Sequence, residues 1–206
     1  MDAARPVHQR GGRVASVAMD PLETVAVAFG IVSVWLSTRE HMASWPTAIV
    51  NVALYFVVFR DAKLYADMGL QVIYLLLSCY GWYEWRFGGA NRTTLPVSRA
   101  TRQHALTLAA LGVVGTGVLG TMLARTTDAA LPYLDSATAT TSLLAQWMMT
   151  RKLLENWLVW VAVDVVYVGM FLAKGLTLTA GLYAVFLVLA ASGYRQWLAS
   201  WRARPA

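Results

Sequence analysis

The chain has 206 residues, of which 58% are apolar and 14% charged, and seventeen Lys and Arg against eleven Asp and Glu leave a net charge of +6. A soluble domain carries about 25% charged residues, so an ordinary globular domain is excluded; a basic chain can bind nucleic acid, but these charges sit in short clusters between apolar stretches, as membrane loops carry them. The single Cys79 rules out an internal disulfide and a Cys-rich metal site.

Residues 1–20 read as a polar tail. They contain Arg5, Arg10 and Arg13 but no apolar h-region, so no cleavable signal peptide is predicted. From there the chain offers seven apolar stretches near the roughly 17–25 residues that a transmembrane helix needs. They are residues 22–38, 44–60, 64–86, 104–123, 133–150, 155–173 and 176–198, and residues 201–206 form a C-terminal tail. In lipid every backbone N–H and C=O must be paired internally, and a run of this length achieves that as a helix. The fifth stretch is the most polar, with Ser136, Thr138, Thr140, Thr141, Ser142 and Gln146, which predicts a helix turned toward protein or a water-filled path. Trp35, Trp45, Trp82, Trp85, Trp147, Trp157, Trp197 and Trp201 cluster near stretch ends, where an interfacial aromatic belt would put them. Lys and Arg number ten on the side of the C-terminus and seven on the other, which predicts a cytoplasmic C-terminus and an external N-terminus.

WLSTRE at 35–40 returns as WMMTRK at 147–152, an offset of 112. At the same offset, without gaps, Trp45 meets Trp157, Tyr55 meets Tyr167, Leu64 meets Leu176, Gly81 meets Gly193 and Trp85 meets Trp197. Fourteen of the 64 pairs from 22 to 85 agree. Shared apolar composition would give only a handful and would not favour Trp and Gly, so an internal duplication is expected. Repeat one is then 22–86 and repeat two 133–198, and the helix at 104–123 links them. The odd linker restores the orientation of the second copy. The expected fold is an all-α polytopic membrane protein of two parallel three-helix repeats (3+1+3), an arrangement found in transporters with the substrate site between the repeats.

Polar residues within the stretches share helical faces. These are Asn156, Trp160, Asp164 and Tyr167 in the sixth, Gln71, Tyr74, Ser78 and Trp82 in the third, Thr138, Ser142 and Gln146 in the fifth, and Asn51 with Tyr55 in the second. Such groups point inward, either as interhelical hydrogen bonds or as the lining of a site for a flat polar molecule. The copies differ here: Asn156, Trp160, Asp164 and Gln146 stand opposite Ser44, Ala48, Val52 and Val34. Asp164 is the one carboxylate well inside a stretch, open to a cationic ligand, to a proton or to a hydrogen bond with a neighbouring helix. His8, His41 and His104 lie in tails, loops or stretch ends, so no proton relay continues from it. A retinal-type receptor would need a lysine in the last helix, where none occurs, and an enzyme would need a cluster of acids, His or a nucleophile. No enzyme activity, cofactor or metal is expected.

The segments SWPTAIVN, FRDAKLYADMGLQVIYLLLSCYGWYEW, ENWLVWVAVDVVYV and KGLTLTAGLYAVFLVLAASGYRQW resemble the PnuC family of bacterial vitamin transporters, nearest its nicotinamide riboside branch, over roughly residues 20–200. The resemblance implies a fold like that of the SWEET sugar transporters, a homotrimer in the bacterial inner membrane, and facilitated diffusion of nicotinamide riboside. Phosphorylation by a cytosolic riboside kinase would trap the substrate; related branches carry riboflavin or thiamine. It also implies a site of Asn156 and Trp160 in ENWLVW, Gln146 in AQW, and Gln71 and Tyr80 in LQVIYLLLSCY, to which the face analysis adds Asn51 and Asp164.

Overall fold

The computed structural model describes residues 21–63, 65–128, 131–173 and 175–203. The tail of residues 1–20, with its three arginines and His8, and Leu64, Lys174 and Arg204 lie outside the described residues. Seven helices follow in order: α1 (Pro21–Thr38), α2 (Ser44–Asp61), α3 (Tyr65–Phe87), α4 (Arg102–Thr126), α5 (Pro132–Thr150), α6 (Asn156–Ala173) and α7 (Thr177–Arg202). Each falls on one of the seven apolar stretches, and α4 and α7 run several residues beyond them. Local chemistry fixes the starts. Pro21 and Pro132 open α1 and α5, where a missing N–H costs nothing. Thr101 caps α4, accepting from His104 N–H at 3.1 Å while its own N–H points at His104 Nδ1.

By length and composition α1, α4, α6 and α7 are long and apolar enough to cross a membrane. The other three carry more polar groups, namely Arg60 and Asp61 in α2, Asp67, Glu84 and Arg86 in α3, and the Ser/Thr series in α5. That series is covered by protein. Ser136, Thr138, Ser142 and Thr150 are buried on a helix flanked by α3, α4 and α6, and Ser136 and Thr150 donate to their own helix's carbonyls at 2.7 Å.

The helices pack as α1 on α2 on α3 and α6 on α7, with α5 against α4 and α6. Two further contacts close the bundle, α1 on α7 and α3 on α5. At their centre stand four tryptophans whose rings meet edge to face in a chain: Trp45 and Trp85 with centroids 5.1 Å apart, Trp85 and Trp197 at 5.7 Å, Trp157 and Trp197 at 5.3 Å. All four are buried. The belt expected from the sequence is therefore corrected for these four; Trp35, Trp82 and Trp201 are exposed. Gly81 and Gly193 make the inward turn possible, since a Cβ at either would run into the ring of Trp45 or Trp157 respectively.

Contacts recur at the 112-residue offset. Trp85 Nε1–H donates to the Met149 carbonyl and Trp197 Nε1–H to the Ser37 carbonyl, both at 3.0 Å, and each bond joins two helices from different halves of the chain. Thr38 and Thr150 each bond the carbonyl three residues back, at 2.7 Å. Glu40 and Lys152, 112 positions apart, both have left-handed backbone (φ 54° and 47°), and the lysine Nζ lies 2.9 Å from the carboxylate of the glutamate. Lys63 and Gly175 likewise end α2 and α6 with φ of 60° and 72°.

The connection from α3 to α4 has no counterpart among the other described connections. One turn of 3-10 helix at Ala90–Arg92 leads into an extended segment. Ser98 pairs with the α5–α6 connection through its N–H to Lys152 O (3.0 Å) and its carbonyl to Leu154 N–H (2.8 Å). Val97 enters the tryptophan core, and Glu155 accepts from Arg99 Nε (2.7 Å) and Ala100 N–H (2.8 Å).

Candidate functional site

A cavity of about 380 Å³ opens beside the tryptophan chain, lined by α1, α2, α3, α5, α6 and α7. Ligand pockets fall in this size range. Five residues singled out in the sequence meet on its wall: Asn51, Gln71, Gln146, Trp160 and Asp164. Tyr55, Tyr74 and Ser78, from the same helical faces, join them. Asn51 is anchored, its Nδ2 donating to the Ala26 carbonyl at 2.6 Å. That leaves its Oδ1 as an acceptor. Gln71 and Gln146 have no hydrogen-bond partner among the described residues, so each offers a donor and an acceptor to a guest.

The other two expected residues lie elsewhere. Asn156 is fully buried at the first turn of α6, where its Nδ2 donates to Leu153 O at 2.6 Å. It does not line the cavity, although its neighbour Trp157 does. Tyr80 is exposed on the outer side of α3, and its hydroxyl accepts from Arg151 at 3.1 Å. The same arginine pairs with Glu84 at 2.8 Å.

Four buried side-chain atoms lack a partner among the described residues: Ser44 Oγ, Trp45 Nε1, Asn156 Oδ1 and Trp157 Nε1. They are two pairs at the 112-residue offset. Ser44, Trp45 and Trp157 line the cavity, so unpaired donors and acceptors collect at one end of it. An unmade buried hydrogen bond costs about 1–3 kcal/mol, and a polar guest would relieve it.

Sequence reasoning passed over Tyr183 and Phe186 of α7, which line the cavity with Ser33 and Ser37 of α1. A signal for the first two was present. Tyr183 and Phe186 lie 112 positions after Gln71 and Tyr74, and all four line the cavity. Val34 with Gln146, Ala48 with Trp160, and Val52 with Asp164 are further pairs of which both members line it. Aromatic faces, free amides, one carboxylate and no Lys or Arg among the described lining suit a small flat molecule with amide and hydroxyl groups.

Comparison with known proteins agrees with that chemistry. The model of a family described as nicotinamide mononucleotide transporter matches residues 20–199. The chain is 28% identical to the nicotinamide riboside transporter PnuC of Escherichia coli, an alignment covering 89% of this chain and 87% of that one. It is 25% identical to the riboflavin/roseoflavin transporter RibM of Streptomyces davaonensis, with coverage of 85% and 83%. Among solved structures, the crystal structure of the vitamin B3 transporter PnuC matches with a TM-score of 0.70 at 26% identity, covering 89% of this chain and 83% of that chain. A match that runs nearly the length of the bundle, joined to several helices apolar enough to cross a bilayer, makes this chain a multi-pass membrane transporter that belongs to the nicotinamide mononucleotide transporter family.

Proposed function

We propose that this protein carries nicotinamide riboside across the bacterial inner membrane, and that the cavity beside the tryptophan chain is its binding site. The observation that carries the reading is the lining: amides for the carboxamide, aromatic faces for the ring, and no Lys or Arg among the described residues to meet a phosphate. Trp and Tyr faces attract cations, and the riboside is a pyridinium cation. The same absence separates riboside from mononucleotide, whose phosphate would be desolvated without a partner at high cost. Similarity to the E. coli PnuC points the same way.

In this reading Gln71, Gln146, Asn51, Trp160 and Asp164 contact substrate. Asn156 keeps its unpaired Oδ1 at the polar end and contributes from there, and Tyr80 stands outside. The fold is two parallel three-helix repeats, α1–α3 and α5–α7, with α4 between them as in the SWEET transporters. The paired contacts at the 112-residue offset support it, as do the reciprocal α1–α7 and α3–α5 packing. The C-terminus faces the cytoplasm, three copies assemble, and transport is facilitated diffusion with a cytosolic riboside kinase trapping the product. The second reading, transport of a related vitamin, is favoured by the similarity to RibM.

Calorimetric titration of the purified protein with nicotinamide riboside, nicotinamide mononucleotide, riboflavin and thiamine tests the substrate. Saturable binding of the riboside alone is expected. Binding of riboflavin or thiamine instead would reassign the cargo, and mononucleotide binding as tight as riboside would overturn the phosphate argument.

A further inference from the structure

We infer that Asp164 is the countercharge of the transported molecule, and that the site therefore selects a monocationic ring over a neutral ring of the same shape. The inference rests on the proposed riboside site and adds to it the reason for its charge preference.

Asp164 lies midway along α6, one helical turn beyond Trp160, and is 4% exposed. It lines the cavity. Among the described residues no ion pair or hydrogen bond reaches its carboxylate, and every other ion pair lies at a helix end or in a connection. A carboxylate removed from water is costly unless a positive group meets it. The lining offers none. Its polar side chains are amides, hydroxyls and indoles, and its aromatic members Trp160, Tyr55, Tyr74 and Tyr183 present electron-rich faces. An acid among aromatic faces is the chemistry that receives an organic cation. The missing positive charge is supplied by the guest, and the loaded site is then neutral within the bilayer. The duplication sharpens this. The position equivalent to Asp164 is Val52, which is also buried and also lines the cavity, so the negative charge is confined to one copy.

The test compares two forms of one molecule: nicotinamide riboside, a cation, and its 1,4-dihydro form, which keeps the ribose and the carboxamide but is uncharged. Binding to the full-length protein is read by calorimetry for wild type, Asp164→Asn and Asp164→Glu. Wild type is expected to favour the cation by on the order of tenfold or more. Asp164→Asn should weaken the cation by a similar factor while leaving the neutral form unchanged, so the preference collapses; Asp164→Glu should retain it. Equal binding of both forms to wild type overturns the inference while leaving the riboside site standing, and so does an equal loss of both in Asp164→Asn. If wild type binds riboflavin and neither riboside form, the proposed substrate falls and the countercharge with it.

Discussion

Glu40 and Lys152 provide a direct test of whether the two halves of the chain meet as equivalents. They occupy the one charged position where the echoed hexapeptides disagree in sign, and they pair with each other at 2.9 Å. The lysine side chain is 7% exposed and the glutamate 22%. Lys152 Nζ also lies 4.4 Å from the centre of the Trp85 ring. Removing one partner of a fully buried pair costs about 3–5 kcal/mol. Here Glu40 keeps some water, and the lysine keeps Trp85, a contact worth about 1 kcal/mol. Glu40→Gln should therefore cost about 2 kcal/mol, and Lys152→Gln a similar amount, since it loses the ring contact as well but strands a carboxylate that water reaches. The exchange Glu40→Lys with Lys152→Glu should recover all but about 1 kcal/mol of the combined loss. Equivalence makes a further demand. The counterpart of Trp85 is Trp197, also fully buried, so a lysine at position 40 should lie over the Trp197 ring. Thermal unfolding in detergent, followed by tryptophan fluorescence, measures each variant. If the exchanged protein melts as low as the sum of the two single losses predicts, the positions are not interchangeable and the reasoning from duplication to contact fails.

The glycines give a matched set. Gly81→Ala and Gly193→Ala drive a methyl into Trp45 and Trp157 and should each cost about 1–3 kcal/mol in the same unfolding assay, whereas Gly69→Ala and Gly181→Ala, with nothing within 4 Å, should be neutral or slightly stabilising. Trp160→Ala should weaken riboside binding by about tenfold or more through loss of a ring-stacking face, and should also lower the melting temperature because the ring packs against the tryptophan core; Asn156→Leu should also weaken binding, and normal affinity there would confine the site to the cavity wall proper. Glu155→Ala should loosen the α3–α4 connection, seen as faster amide exchange around Ala100, because Glu155 accepts two bonds from it. Arg99→Ala, which removes only the exposed partner, should leave the melting temperature nearly unchanged.

How much of this was legible depends on what each signal measures. Helix bounds could be read because an apolar run in lipid has few backbone options, and α5 could be turned inward because its hydroxyl load has no place in hydrocarbon. Depth and direction were harder. Hydropathy values a Trp equally in a belt and in a core, so Trp45, Trp85, Trp157 and Trp197 read as belt residues. The glycines repeated opposite two of them were the informative feature. Helical period groups Asn156 with Trp160 and Asp164, yet it says nothing of where along the axis a cavity stops, and Asn156 sits at the turn that begins α6, off the cavity wall. Tyr80 shared a motif with Gln71 but not its face. Val97 was invisible, because a short connection has no period to show which residue turns inward.

Positions 112 apart carry different signatures in the scaffold and on most of the cavity wall. Where positions 112 apart hold the bundle together, the residues are the same: Trp45 and Trp157, Gly81 and Gly193, Trp85 and Trp197, each making the same contact twice. A change in one copy alone would strand a buried indole or fill a space that its partner still needs. Trp45 and Trp157 also reach the cavity, but the other such pairs with both members on its wall differ: Val34 and Gln146, Ser37 and Met149, Ala48 and Trp160, Val52 and Asp164, Gln71 and Tyr183, Tyr74 and Phe186, Ser78 and Ala190. A cavity lined identically by both copies would present a charged or amide-bearing guest with two equivalent poses. Divergence removes one of them. Trp160, Asp164 and Gln146 put bulkier or more polar groups on the second copy, opposite Ala48, Val52 and Val34, while Tyr74 and Ser78 keep their hydroxyls on the first, opposite Phe186 and Ala190. For the proposed riboside, such a cavity would set the cationic ring and the sugar against different walls and so favour one orientation.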